Sequence, residues 1–488
     1  MPSVPTRSHQ HRLLDRVVNV YGWVYLALLS VFSLVNVEGG LESWGYLQPY
    51  TVIMPVFITV GVVLMVARWR LPALVVTSSL DLTAATPGRG WAQDHRRERL
   101  REESWFGNRR LGRIPLVAWV CVLAGLALFG WAALTTLWHD EVVWVGPRHN
   151  QYRVPTWLVL APIVNATLAM LGGFLVMAVT PRAMRMRLLW RMSVLMVPLS
   201  VLGWVRVSVT QGAPSERLWT QLGNAAVYPV VLLCCLSIAL AGLLNGQRVR
   251  VSQWVVVAHL VFILLTGARG GIVAVVAFIV LLVVRLGRRH TGAGQRLRSL
   301  PPFVFVLGGL AVVVATLSSP VLGRLDQKSG RLSTWEAAVS ALDGNISSWL
   351  VGLGSGRVWP WYAWESGWQG IPWGKVTGPF GLVLYHAHSL FVTVMVELGV
   401  VGVLLLTAVV WPLAARWLRG GSTSSVVLIT GACACLVAFV FDTYLFKNFS
   451  VSMVWWTTAF GALFAGVGPP IASVRGGSAV DEGPGVTQ

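Results

Sequence analysis

Two histidines, His386 and His388, stand at the start of a long apolar run in the stretch GPFGLVLYHAHSLFVTVMVELGVVG. A histidine titrates near neutral pH and can take a proton from a hydroxyl group, so the pair offers a general base. The two other interpretations are a structural hydrogen-bonding role and a metal site of the His-x-His type. We predict no bound metal, because no cluster of carboxylates or cysteines accompanies the histidines in the sequence. We therefore favour the general base.

Two arginines add cationic chemistry to the same half of the chain. Arg269 stands between two apolar runs in LLTGARGGIVAVV, and Gly270 beside it lets a ligand approach the backbone. Arg331 stands in KSGRLSTWEAAVSALDGN, where Ser333 and Glu336 have the spacing of a capping box and predict the start of a short helix. An arginine there strengthens the preference for an anion that the helix dipole creates. The alternatives are that Arg269 extends to lipid headgroups and that Arg331 is an ordinary exposed residue.

Glu397 lies nine residues after His388. On a continuous helix this spacing puts the two side chains about 180° apart. We therefore expect Glu397 to bond a neighbouring helix in a supporting role. Arg206 and Arg217 flank another loop and are weaker candidates for binding an anion.

Tryptophan is concentrated in residues 320–388, which hold 7 of the 25 tryptophans in the chain. This content predicts that the segment is folded. One interpretation is an aromatic belt at the membrane surface. The other is a set of flat platforms that stack on sugar rings.

The composition predicts the framework that positions these residues. Of the 488 residues, 55% are hydrophobic and only 12% are charged, against about 25% charged in soluble domains. This excludes both a water-soluble globular enzyme and a disordered chain. A transmembrane helix needs about 20 apolar residues, so we predict an all-α polytopic membrane protein. The twelve predicted spans are 18–37, 50–67, 114–138, 156–180, 192–209, 225–245, 252–268, 270–286, 302–319, 389–411, 424–441 and 450–467.

Loop charges predict the orientation of these spans. With the N-terminus in the cytoplasm, 27 Lys and Arg residues fall on the inner side and 11 on the outer side, in agreement with the positive-inside rule. Both termini are therefore predicted to be cytoplasmic. The net charge of +19 is assigned to the inner loops and not to nucleic-acid binding, for which no motif is visible.

We divide the chain into a single transmembrane helical domain, 1–467, and a disordered cytoplasmic tail, 468–488, that is rich in Gly, Pro and Ser. Within the domain, 78–108 is predicted to be a basic cytoplasmic loop and 320–388 a long extracytoplasmic loop. The two candidate arginines and both histidines then share the outer side. Two cations and a base facing one compartment suit a substrate that carries a diphosphate and a hydroxyl group.

Three stretches resemble the O-antigen ligase and O-antigen polymerase superfamily of bacterial membrane glycosyltransferases. TGARGGIVAVVAFIVLL resembles the family's Ser-Arg-Gly segment, with Ala268 in place of the usual serine. GRLSTWEAAVSALDGNISSWLVGLGSG resembles its Arg, Trp and Ala helix and the Gly-x-Gly-x-Gly stretch that follows, which includes Gly354. HAHSLFVTVMVELGVVG resembles its His-Asn motif at His388 and Ser389, where serine replaces asparagine, and its Glu-x-Gly-x-x-Gly motif at Glu397.

The resemblance covers about residues 255–411 and implies an activity. It implies the metal-independent, inverting transfer of a glycan from a polyprenyl-diphosphate-linked oligosaccharide to an acceptor hydroxyl on a glycan or lipid. The transfer would take place on the outer side of the cytoplasmic membrane, among membrane lipids and without a cofactor. By the same resemblance, Arg269 and Arg331 bind the diphosphate, His388 acts on the acceptor, and His386 is an additional histidine.

Other classes of function compete with this one. Twelve spans also suit a transporter or flippase of envelope precursors, whose polar residues commonly lie near the middle of the bilayer. The candidate residues here gather at one face, which favours the enzyme. A scaffold of envelope assembly would leave the arginines and histidines without a role. Ligase and polymerase activities differ in the acceptor, and both stay open at this stage.

Overall fold

The computed structural model describes residues 9–36, 48–70, 114–139, 142–212, 215, 217–287, 330–342, 345–370, 375–378, 381–382 and 386–465. These ranges form a bundle of long helices, with short helices and a small sheet at one end. The helices are α1 (His9–Leu34), α2 (Pro49–Arg70), α3 (Leu116–Trp138), α4 (Thr156–Val179), α5 (Arg182–Thr210), α6 (Tyr228–Leu244), α7 (Val249–Leu265), α8 (Arg269–Gly287), α9 (Gly330–Ser340), α10 (Ile346–Val351), α11 (Trp361–Glu365), α12 (Leu390–Arg419), α13 (Thr423–Ala438), α14 (Tyr444–Lys447) and α15 (Phe449–Ala465).

Eleven of the twelve predicted spans coincide with helices, and the remaining one, 302–319, lies outside the described residues. Seven described helices are long and apolar enough to cross a membrane, and four apolar ones, α6, α7, α13 and α15, are shorter, at 16 or 17 residues. The protein is thus a mainly helical membrane protein. The total of twelve spans and their orientation stay predictions.

Two helix ends extend beyond the predicted spans. α5 begins at Arg182, although the predicted span starts at 192, and α12 continues to Arg419, past the predicted end at 411. Arginine, methionine and leucine are strong helix formers. The helices therefore continue beyond the apolar stretches from which the spans were predicted.

The centre of the bundle is formed by α6 and α15. All residues of α6 from Tyr228 to Gly242 and all of α15 from Phe449 to Phe464 are buried. A helix that is apolar on every side is stable when other helices surround it. α15 packs against α4 and α13, and α6 packs against α5, α7 and α13. Outer helices such as α2 keep exposed valines that suit a lipid environment.

A small antiparallel sheet was missed by the all-α prediction. Its strands are β1 (Val142–Val145), β2 (Gln151–Val154), β3 (Thr377–Gly378) and β4 (Gly381–Leu382), in the order β2-β1-β3-β4. β1 pairs with β2 along its whole length and with β3 at Val145 and Thr377. Valine and aromatic residues favour strands, but these runs of four residues are too short to register in a search for apolar spans.

The loops that charge counting assigns to the outer side meet at one end of the bundle. β1 and β3 pair although they lie in loops more than 200 residues apart. Trp368 donates its indole N–H to the carbonyl of Arg153 at 3.0 Å, and Lys447 forms an ion pair with Glu365 at 2.9 Å. Which compartment this end faces stays a prediction.

The tryptophan-rich loop is folded onto the bundle in its described parts. Trp359 and Trp361 are buried, at 2% and 8% exposure, and so belong to the core and not to a belt that faces lipid. The division into a domain 1–467 and a tail stays a prediction. The predicted basic loop 78–108 and the predicted tail 468–488 lie outside the described residues.

Candidate functional site

A cavity lies at the end of the bundle that carries the sheet. Its volume is about 20 Å³, room for about one water molecule. Residues of α4, α11, α12 and α14 and of the segment before α11 form its wall. The described lining residues are Val159, Pro162, Ile163, Ser355, Gly356, Trp359, Trp361, Tyr362, His386, Thr393, Glu397, Thr443 and Phe446. Part of this wall is apolar and part polar, and the described lining contains no lysine or arginine.

One side of the cavity depends on a break in α12 at Gly399. The backbone there has φ 66° and ψ −165°, and a Cβ would stand 2.4 Å from the carbonyl oxygen of Leu350, so only glycine fits. Three consecutive carbonyl groups at the break accept hydrogen bonds from outside α12: Val396 from the N–H of Leu353 at 2.9 Å, Glu397 from the N–H of Gly354 at 3.0 Å, and Leu398 from the indole of Trp131 at 3.0 Å. The glycine-rich segment 352–356 therefore docks along the break.

The carboxylate of Glu397 holds the same segment from the cavity side. The side chain is 5% exposed, and its Oε1 accepts a hydrogen bond from the backbone N–H of Trp359 at 3.3 Å. The backbone N–H groups of Gly356 and Val358 also bond to this carboxylate. Such donors offset the cost of burying a charged or polar group. The predicted partner on a neighbouring helix is not the one found, because the break at Gly399 brings this segment alongside Glu397.

Gly354 occupies a tight position within the segment. It has φ 95°, and a Cβ there would lie 2.7 Å from Cδ of Arg357 and 3.0 Å from Nδ1 of His139. Arg357 and His139 were missed by the sequence analysis. The one available signal is that Arg357 directly follows the Gly-x-Gly-x-Gly stretch.

Tyr362 is another cavity residue that the sequence analysis missed. Its phenol donates a hydrogen bond to the carbonyl of Gly356 at 2.8 Å. Burial raises the pKa of Tyr362 well above its ordinary value, and the nearby carboxylate of Glu397 raises that pKa further, whereas Arg357 lowers it. The phenol therefore stays neutral and acts as a fixed hydrogen-bond donor.

The two histidines form a contact pair at the cavity. His386 is 7% exposed and lines the cavity, whereas His388 is half-buried, with the two ring centroids 3.6 Å apart. The backbone N–H of His388 donates to Nδ1 of His386 at 3.2 Å. Because a backbone N–H can only donate, Nδ1 of His386 is the acceptor, and neutral His386 carries its proton on Nε2. Of the two histidines, His386 is the one in the described lining of the cavity, and His388 contacts it from beside the cavity.

The helical spacing argument for His388 and Glu397 is wrong. α12 begins at Leu390, with Ser389 as its N-cap, so His388 lies outside the helix. Its φ of 50° is in the left-handed region, which costs a residue other than glycine free energy. The side-chain oxygen of Ser389 accepts from the N–H of Val392 at 3.4 Å, and an asparagine can cap a helix in the same way.

Arg269 is the first residue of α8, and its side chain is exposed. Gly270 packs tightly, because a Cβ there would stand 3.0 Å from Cβ of Phe441. Two residues later, Thr443 lines the cavity. The N–H of Leu390, two residues after His388, donates to the carbonyl of Asp442 at 3.1 Å. The segment 439–443 thus contacts both the start of α8, at Gly270, and the start of α12, at Leu390.

Arg331 is the second residue of α9, and its side chain lies outside the described part of the structure. One helical turn later, Trp335 donates its indole N–H to the carbonyl of Ala387 at 2.6 Å. This bond ties α9 to the peptide between the two histidines. The predicted capping box is wrong, because α9 begins at Gly330 and Ser333 lies inside it.

The remaining arginine candidates have other surroundings. Arg217 donates from Nε to the carbonyl of Thr266 at 2.6 Å, and Arg206 is exposed on α5. Among the residues that the structure describes, no group of three His, Cys, Asp or Glu side chains could hold a metal ion. The cavity lining thus holds His386, which contacts His388, and the buried Glu397, and Arg269 begins α8.

Comparison with known families agrees with this arrangement. Residues 254–407 match the family model described as O-antigen ligase. The match includes α8, α9, the glycine-rich segment, the histidine pair and the break in α12. No curated protein sequence matches the chain. The matched segment, about a third of the chain, is similar to the O-antigen ligase family and supports the predicted resemblance to the O-antigen ligase and polymerase superfamily of cell-surface polysaccharide assembly.

Proposed function

We propose that this protein transfers a glycan from a polyprenyl-diphosphate-linked donor to an acceptor hydroxyl on the outer side of the cytoplasmic membrane. The observation that carries the proposal is the histidine pair, with His386 in the cavity lining, together with the segment 439–443, which contacts both Gly270 at the start of α8 and Leu390 after the histidines. A proton acceptor and a cation in one neighbourhood meet the two needs of this reaction.

The reaction has a simple balance of bonds. The acceptor oxygen forms a bond to the anomeric carbon of the donor sugar as the bond from that carbon to the diphosphate oxygen breaks. Attack from the face opposite the leaving group inverts the configuration. The proton of the acceptor hydroxyl passes to His388, and the polyprenyl diphosphate leaves with the bonding electron pair. Nucleophile and leaving group are thus served by protein side chains, so we propose that no metal ion is required.

The leaving diphosphate gains negative charge and needs fixed cations. Arg269 begins α8, where the first N–H groups of the helix add to the attraction for an anion, and Arg331 is the second residue of α9. Paired guanidinium donors match phosphate oxygens, whereas lysine is a point donor. We propose that these two arginines bind the diphosphate.

The test deletes the gene in its own host, or replaces it with genes for the variants, and analyses the lipid-linked oligosaccharides of the cells. Loss of a polymerase should leave lipids with single repeats, and loss of a ligase should leave long unattached chains. We expect Arg269→Ala and Arg331→Lys to reproduce the deletion while the protein still inserts. Arg206→Ala is the matched control, because it removes an exposed arginine from α5. Wild-type surface glycan in both Arg269→Ala and Arg331→Ala would refute the proposed diphosphate site.

A further inference from the structure

Two arginines from different helices meet at the end of the bundle opposite the sheet. α4 follows strand β2 along the chain, so its last residue, Val179, lies at the far end of the bundle from that strand. Arg185 of α5 donates from Nε to the carbonyls of Met177 at 2.8 Å and of Thr180 at 2.9 Å. Arg68 of α2 donates to the carbonyl of Val179. Both guanidinium groups therefore bind the end of α4.

The charge of Arg185 is only partly balanced by these contacts. The end of a helix carries about half a negative charge, which is less than the full charge of one guanidinium. Arg68 and Arg182 add like charges that act on Arg185, and like charges at close range repel one another. Arg185 forms no ion pair with any residue that the structure describes. An anion beside Arg185 would remove this imbalance.

The guanidinium of Arg185 offers one edge to such an anion. Its Cζ lies 4.4 Å from the centroid of the Phe464 ring, so one face is covered, and its Nε is engaged by the end of α4. In the described part of the chain, the N–H groups on its two terminal nitrogens have no acceptor. Paired N–H groups of this kind match two oxygens of a phosphate.

The residues beside this edge suit a lipid. Trp69, next to Arg68, is 56% exposed, and exposed tryptophan is typical of the level of lipid headgroups. On the same helix, the exposed Val62, Val63 and Val66 provide an apolar surface along which an acyl chain can lie. A free phosphate would gain nothing from this surface, whereas a phospholipid would bury it.

We propose that Arg185, together with Arg68 and Arg182, binds the headgroup phosphate of an anionic phospholipid whose acyl chain lies along α2. Basic pockets between transmembrane helices are known to hold such headgroups. The predicted orientation places this site in the inner leaflet. It lies at the opposite end of the bundle from the histidine pair, so the proposal does not depend on the proposed glycan transfer.

The test titrates lipid into the full-length protein, purified without lipid in an uncharged detergent. The probes are phosphatidylglycerol, phosphatidylcholine with the same acyl chains, and inorganic phosphate. Phosphatidylcholine has the same phosphate but no net charge. The variants are Arg185→Gln and Arg182→Gln, and the second changes an exposed side chain. Arg206→Gln is the matched control, because Arg206 is an exposed arginine near the other end of α5.

We expect phosphatidylglycerol to raise the apparent melting temperature of the wild-type protein and of Arg206→Gln at the same half-saturating concentration. Arg185→Gln should need about tenfold more, because it loses charged hydrogen bonds to the phosphate. Arg182→Gln should need about fivefold more, as for the loss of one nearby charge. Phosphatidylcholine should bind at least tenfold more weakly, and inorganic phosphate should not displace phosphatidylglycerol.

Each of four results would overturn the proposal. Equal affinity for the two lipids would show that the site does not select an anion. Wild-type affinity for phosphatidylglycerol in both Arg182→Gln and Arg185→Gln would place the lipid elsewhere. An equal loss of affinity in Arg206→Gln would indicate a general attraction to positive charge. Displacement of phosphatidylglycerol by inorganic phosphate would assign the site to a free anion.

Discussion

Replacement of His386 tests whether this residue positions His388, which we propose as the base. His386→Ala removes the Nδ1 that accepts the backbone N–H of His388 at 3.2 Å. A buried N–H left without an acceptor costs about 1–3 kcal/mol, and the left-handed conformation of His388 costs a similar amount, about 1–3 kcal/mol. Without this hydrogen bond, His388 lowers its free energy by moving to an extended backbone conformation, and its ring moves away from the cavity.

These free energies set the expected loss of rate. If the hydrogen bond holds His388 in position, its loss of about 1–3 kcal/mol corresponds to about 5- to 140-fold in turnover, at tenfold for each 1.4 kcal/mol. Removing the base itself, in His388→Ala, should cost about 10²–10⁴-fold. His386→Asn keeps an acceptor, because the side-chain carbonyl oxygen of asparagine can replace Nδ1 of histidine. It should therefore turn over faster than His386→Ala.

The assay measures initial rates of glycan transfer from purified lipid-linked donor, with the variants matched for amount and apparent melting temperature. Donor binding is measured separately and should survive in all three variants. A chelator should leave the wild-type rate unchanged. The reasoning fails if His386→Ala is more damaging than His388→Ala, or if His386→Asn is as slow as His386→Ala. It also fails if chelation stops transfer and a divalent ion restores it.

Three further predictions concern the framework. Glu397→Leu leaves backbone N–H groups of the glycine-rich segment without an acceptor, which costs about 1–3 kcal/mol for each group. The apparent melting temperature of Glu397→Leu should therefore fall well below that of Glu397→Gln, which keeps a side-chain oxygen. Equal melting temperatures would contradict this role of Glu397. Gly399→Ala forces a Cβ to within 2.4 Å of a backbone oxygen and should destabilise the protein strongly, whereas Gly130→Ala, where a Cβ meets nothing within 4 Å, should melt at or above the wild-type temperature. For topology, a membrane-impermeant thiol reagent added outside should modify a cysteine introduced at 367 and not one introduced at 90; the reverse pattern would invert the predicted orientation.

Long apolar stretches predicted most of the bundle, because burial in lipid demands about 20 apolar residues in each span and little else. The cavity was harder to predict, because its wall comes from segments far apart in the chain. Val159 of α4, Tyr362 of α11 and Thr393 of α12 carry no local signal that would join them. Only their packing makes them one site.

The errors concern the places where the backbone departs from regular helix. The spacing of His388 and Glu397 suggested opposite faces because we assumed that one helix contained both. Ser333 and Glu336 fit a capping box, but α9 begins three residues before Ser333. Helix ends depend on tertiary contacts, such as the hydrogen bond from Trp335 to Ala387, as well as on local propensity. Helix breaks and starts depend on distant partners, which a local pattern does not contain.

Two anchor points hold the wall of the cavity. Segment 352–359 is held by the carbonyls and carboxylate of the α12 break, and residues 386–390 are held by α9 and by the segment 439–443. The 26 residues from Pro360 to Tyr385 join these anchors, and their first part supplies Trp361 and Tyr362 to the cavity wall. An engineered enzyme with a new acceptor is therefore best sought by replacing the part of this connection that follows Tyr362, which leaves both anchors and the cavity side chains unchanged in sequence.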